Sequence, residues 1–162
     1  MALATFFPYP YRPGEQIEQA TLAFYLPLAE KYAGKPMLSA FLGVYAAWTG
    51  NRELSTHFFE KGYADFLSQP FNITNEMPNY TPEGQPVGPF ITNIGGFLMS
   101  CLYGLTRLRL GPGEPQSWCE GPIILPDGWD GIQVERIWIH GRPARLTANH
   151  GDKHAHIEFL DC

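Results

Sequence analysis

The sequence predicts an α+β fold in which helices and strands are segregated along the chain, and three observations carry that reading. Apolar residues recur at three- and four-residue steps between Glu15 and Leu105, in runs broken by Gly34, Gly50 and one long loop. From Thr106 onward short alternating runs take over, punctuated by Gly111-Pro112-Gly113, Pro126-Asp127-Gly128 and Gly141-Arg142-Pro143. The 162 residues are 44% apolar and only 17% charged, enough for one ordinary domain or two small packed modules, and too apolar for intrinsic disorder. A block of helices followed by a block of strands builds segregated modules, not an alternating α/β sheet. The boundary is expected near Leu105, which divides the chain into 1–104 and 105–162.

The elements follow in order. Phe6–Gly14 is extended, because Pro8, Pro10 and Pro13 each turn the preceding residue away from helical angles. A helix is expected from Glu15 towards Gly34, with Pro27 kinking or ending its first part. Pro36–Trp48 reads as a second helix, with proline in its first turn, Gly50 as its stop and an apolar surface all round that calls for burial on every side. Asn51 is the expected N-cap of a third helix, which carries Leu54 and Phe58 inward. Gln69–Thr92 has neither period; a structureless run of about two dozen residues is usually functional. A small-residue helix is expected at Asn93–Leu105, then strands at Thr106–Leu110, Gly121–Pro126, Gln133–His140, Ala144–Ala148 and Ala155–Leu160.

A net charge of −5 argues against a partner with a phosphate backbone, so no nucleic-acid role is expected. The longest apolar run, Phe90–Leu105, is interrupted by Asn93, Gly95, Gly96 and Ser100 and falls short of the roughly 20 residues that cross a bilayer. Cys101, Cys119 and Cys162 make neither a disulfide framework nor a thiolate zinc site. MALATFFPYPYRPG lacks the basic and apolar regions of a secretory signal, and the expected compartment is the cytoplasm.

Candidate chemistry concentrates in the long loop, whose acids Glu76 and Glu83 sit among amides and hydroxyls. Such carboxylates serve as general bases or hold sugar hydroxyls, although loops commonly carry solvated acids with no such task. Glu76, close to the anchors Phe71 and Ile73, is the better placed of the two. His150, His154 and His156 cluster near one turn without a completing carboxylate or thiolate, so a surface histidine group is expected and no metal site. Gly95-Gly96 lacks the spacing of a phosphate cradle and fits close helix packing. Trp48, Tyr25, Tyr45, Tyr80 and Phe90 are aromatics that either stack on sugars or fill the core. No cofactor motif is present in the sequence.

Several segments, in order, resemble the C-terminal part of family 65 glycoside hydrolases. They are Gln19-Ala20 in an amphipathic helix, Leu38-Ser39, Gln69-Pro70-Phe71, the run Phe90-Ile91-Thr92-Asn93-Ile94-Gly95-Gly96-Phe97-Leu98, Leu125–Trp129 and Ile137–Pro143. The resemblance spans nearly the whole chain and implies the last helices of an (α/α)6 toroid over 1–104, then a small β-sandwich over 105–162. It implies an α-glucoside or disaccharide substrate and places the family's general base on Glu76. Gln19 would bind sugar hydroxyls beside Glu18, which stands where the family commonly has a lysine. The family's general-acid glutamate would lie upstream, so the chain is expected to be the base-bearing C-terminal part of an inverting hydrolase. Two alternatives stand beside it. A disaccharide phosphorylase is disfavoured because Pro36–Trp48 keeps Ser39 but has no cation to hold phosphate. A non-catalytic carbohydrate-binding remnant is favoured by the missing acid, since one carboxylate cannot run both proton transfers. Without its toroid neighbours, the apolar helix Pro36–Trp48 is expected to drive self-association.

Overall fold

A computed structural model describes residues 2–7, 9, 11–32, 35–78, 88–119 and 121–161. Four α-helices precede a three-stranded antiparallel sheet, so the architecture is α+β and segregated. Helix α1 spans Glu15–Tyr25 and passes into a 3-10 stretch at Leu26–Tyr32. Pro27 explains the change, since it has no N–H to give to the α ladder. Helix α2 runs Pro36–Trp48, as the sequence predicts, with proline in the first turn. Helix α3, Arg52–Lys61, begins at the expected cap: Asn51 Oδ1 accepts from Leu54 N at 3.0 Å.

The long loop opens with a two-residue pairing of β1 (Leu67–Ser68) and β2 (Ile73–Thr74), and helix α4 starts at Ile91, before the expected Asn93. Helix α4 ends at Met99, and the chain continues as π-helix through Ser100–Leu105. Of the five expected strands, three form: β3 (Gly131–Ile139), β4 (Arg142–Asn149) and β5 (His156–Phe159), in the order β3-β4-β5. Thr106–Leu110 and Gly121–Pro126 stay irregular and make isolated backbone bonds, such as Arg109 N to Trp118 O at 2.7 Å and Ile124 N to Leu105 O at 3.0 Å. Among the described residues the second module is thus one sheet. A bulge between Val134 and Ile137, with Arg136 at φ 61°, turns Ile137 and Ile139 back to the core face.

Helix α2 is the centre of the helical layer. Val44, Tyr45, Ala46 and Ala47 are buried, beneath α3 on one side and α4 on the other, so this helix is not the exposed apolar surface that the sequence suggested. On the helices the exposed apolar side chains lie mainly on α1 (Ile17, Phe24) and α4 (Ile91, Ile94, Leu98), with Met37 at the start of α2 also exposed. Tyr45 ties α2 to the N-terminal segment, its hydroxyl lying 2.6 Å from Leu3 O and 2.7 Å from Phe7 O. One O–H proton is shared between two buried carbonyls. Tyr45→Phe removes this donor from Phe7 O, while Leu3 O keeps its bond from Phe6 N at 3.0 Å, and should lower the unfolding free energy by about 1–3 kcal/mol in urea titrations.

The two modules share a core. One apolar cluster joins Phe59 and Leu105 to Trp118, Leu125, Ile139, Leu146 and Ile157, so the change in secondary structure near Leu105 is not a gap in packing. Arg52 at the start of α3 adds a polar link, donating to Leu125 O and pairing with Asp127 at 2.6 Å. The guanidinium holds the Asp127 carboxyl below the usual carboxylate range.

Two cysteines lie inside this packing. Burial pushes the thiols of Cys101 and Cys119 up to about 11. The folded chain therefore keeps protons that the unfolded chain releases near pH ~8.5. The stability this confers is intact below that pH and is lost as the pH rises from there through about 11. Melting temperatures should fall across that alkaline window, and peptide mapping should find both thiols unalkylated by iodoacetamide at neutral pH.

Candidate functional site

Two places in the fold gather the chemistry. The first is the loop that carries Glu76. Its preceding residue, Asn75, is buried at 1% exposure, and its amide nitrogen donates to Phe66 O at 3.0 Å, to Ile73 O at 3.3 Å and to the Ser68 hydroxyl. Asn75 N adds a backbone bond to Phe66 O at 2.9 Å. The returning chain closes on the same point: Phe90 N donates to Thr74 O at 2.8 Å, and the Thr74 hydroxyl donates to Phe90 O at 3.2 Å. Gly88 lies so close that a Cβ there would stand 2.6 Å from both Thr74 O and the Asn75 side-chain oxygen. Only glycine permits that approach. Glu76 itself is exposed, one residue beyond the anchor, and makes no hydrogen bond among the described residues. Glu83 and Tyr80 lie outside the described residues.

The second place is a set of adjoining cavities at the far end of the helical layer, which share Trp48, Arg109 and Arg12. One, of about 690 Å³, is lined by Glu15, Glu18, Gln19 and Thr49; a neighbour of about 440 Å³ is lined by Arg107, Ser117 and Trp118. Comparison with protein-family models, curated proteins and solved structures finds no match. The chemistry of the chain therefore rests on its own geometry. Glu18 is buried and paired with Arg109, whose guanidinium also stands 4.5 Å over the Trp48 ring. Its carboxylate is thus committed to the cation that faces it across the cleft. Gln19 is more open, its amide nitrogen donating to Glu15 Oε1 at 2.8 Å.

The two places stand at opposite ends of one helix pair. Gly96 faces Ala40 and Gly104 faces Val44, so α4 with its π turn runs in the same direction as α2. The Glu76 loop is tied to Phe90 at the beginning of α4, whereas the Trp48 indole donates to Tyr103 O near the end, at 3.1 Å. The nine α-helical residues Ile91–Met99 alone separate those points by about 13 Å at 1.5 Å per residue. Glu18 and Gln19 are therefore brought together with Trp48 and Arg109, and Glu76 is mounted elsewhere.

The remaining sequence candidates resolve simply. His156 pairs with Thr147 in the sheet, His150 and His154 precede the strand, and the described residues hold no group of three metal-binding side chains. Tyr45 belongs to the core; of the Gly95-Gly96 pair expected to pack closely, Gly96 makes the contact of α4 with α2, whereas a Cβ at Gly95 would meet open space. Sequence reasoning passed over Asn75 and the arginines. Arg107 and Arg109 carried a readable signal, two like charges two residues apart in an otherwise cation-poor stretch.

Proposed function

We propose that the chain is the base-bearing part of an inverting α-glucoside hydrolase similar to family 65 glycoside hydrolases, with Glu76 as the general base. The mounting of Glu76 carries this reading. A solvated loop acid needs no anchor, whereas a base must be held at a fixed place against the reacting water. Buried Asn75 fixes the backbone immediately before the carboxylate, and the Glu76 side chain is left open to solvent and substrate.

Two further features support it. The apolar faces of α1 and α4, with Phe24 and Ile91 64% and 74% exposed, are surfaces that additional helices of an (α/α)6 toroid would cover. Phosphorolysis draws no support from α2, because Ser39 is buried in a helix with no cation to offset a phosphate dianion. The binding-only reading has its own observation, the cleft that sets Gln19 near Trp48 without Glu76.

The test is hydrolysis of α-glucosyl fluoride. Fluoride leaves without protonation, so a base alone suffices for turnover. Release of fluoride with β-glucose as first product, abolished in Glu76→Gln, supports the base; equal release by wild type and variant, or none, overturns it.

A further inference from the structure

The cleft beyond Trp48 concentrates positive charge on an acidic chain. Three arginines, Arg12, Arg107 and Arg109, line the cavity of about 440 Å³ together with Trp48, Ser117 and Trp118, and no carboxylate lines it among the described residues. The chain as a whole carries a net charge of −5, so this is a local reversal of its field. Glu18 neutralises Arg109 from the adjoining cavity. Arg107 meets no carboxylate among the described residues: its Nη2 donates to Trp48 O at 3.0 Å, at the end of α2, and Arg109 is a like charge beside it.

The donors outnumber the acceptors. Arg107 Nε, Arg109 Nε and Trp118 Nε1 are buried and have no hydrogen-bond partner among the described residues. All three can only donate. Buried donors are normally paired, and a cluster of unmatched donors beside a cavity calls for an acceptor. The chain also makes room for the cation, because Gly121, at φ 105°, leaves the space in which a Cβ would collide with the Arg107 guanidinium.

We propose that this cavity is a binding site for a phosphate ester, its oxyanion taken by Arg107 and Arg109 and its organic part lying between Trp48 and Trp118. Guanidinium forks match phosphate oxygens in pairs, and three arginines against the single carboxylate of Glu18 leave the cavity cationic among the described residues, which suits a phosphate better than a monoanionic carboxylate. The site is independent of the base assigned to Glu76. It lies at the other end of α4, whose nine residues span about 13 Å, so phosphate held here is not the attacking group at Glu76.

The test titrates the 162-residue chain with inorganic phosphate, with glucose 6-phosphate and with acetate, at one ionic strength set by chloride. Tryptophan fluorescence and melting temperature are read together. Phosphate and the ester should quench and stabilise saturably, the ester at lower concentration, with acetate without effect. Arg107→Gln should weaken phosphate binding about tenfold or more. Because Arg107 also caps α2, a second variant guards the result: Ser117→Glu places a carboxylate among the arginines from an exposed position. It should raise the melting temperature and remove the phosphate response. A response equal in wild type and both variants is a general salt effect and overturns the site, as does no saturable response. Acetate acting as strongly as phosphate overturns the phosphate assignment. Activity at Glu76 enters none of these readouts.

Discussion

Glu76→Gln should reduce fluoride release from α-glucosyl fluoride by about 10²–10⁴-fold, the usual contribution of a positioned base. In the proposed reaction the water oxygen would bond to C1 as the C1–F bond breaks, the Glu76 carboxylate would take the water proton, and fluoride would go to solvent. Glutamine keeps the size and polarity of the side chain but cannot accept that proton. Maltose and trehalose behave differently, because their leaving oxygen needs an acid, and the chain should leave both intact. The anchor can be tested separately. Asn75→Ala removes the amide that binds Phe66 O, Ile73 O and Ser68, so the backbone ahead of Glu76 loosens. It should lower turnover of the fluoride while leaving its pH dependence unchanged, since the base is still present. A fall in rate for Glu76→Gln with none for Asn75→Ala would show that the carboxylate acts without the mounting described above.

Phe59→Ala should cost about 3–5 kcal/mol of stability, the range for deleting a buried aromatic. Neighbouring residues on α3 serve different cores. Phe58, fully buried, packs in the cluster with Tyr45 and Val44, whereas Phe59 meets Trp129, Phe97 and Tyr63 at ring-centroid distances of 5.8, 5.3 and 5.1 Å. A step of about 100° per residue around the helix produces that division. Phe59 is thus a main apolar contact between the helices and the segment leading into the sheet. Its truncation should leave far-UV circular dichroism near native, weaken the near-UV tryptophan signal from Trp129 and move the urea midpoint down. An unchanged midpoint would mean that the two modules do not share this core.

What could be read from the chain in advance depended on how local the cause was. Helix α2 was readable to its ends, because Pro36 and Gly50 act through their own backbone angles. The Asn51 cap was readable for the same reason: donor and acceptor are three residues apart. The strands at Thr106–Leu110 and Gly121–Pro126 were expected from alternation, but alternation does not say whether a sheet edge will be there to pair with. The β3 bulge corrects a spacing of three residues between Val134 and Ile137 that a regular strand cannot place on one face.

At the candidate sites the division is sharper. Glu76 was singled out from its loop and its neighbours, but Asn75, which holds it, looks in sequence like any polar loop residue. Its burial is decided by Phe66 and Gly88, brought in from either end of the loop. Glu18 was expected to face a sugar, and its ion pair could not be anticipated because Arg109 lies 91 positions away. The sequence by itself determined the helix-then-sheet order, the ends of α2 and the acid worth testing, all set by propensities and spacings within a few residues. Only the tertiary structure decided which strands pair, which charges are neutralised and where three arginines meet. Those outcomes depend on contacts between distant segments, whose energies exist only once the chain has closed on itself.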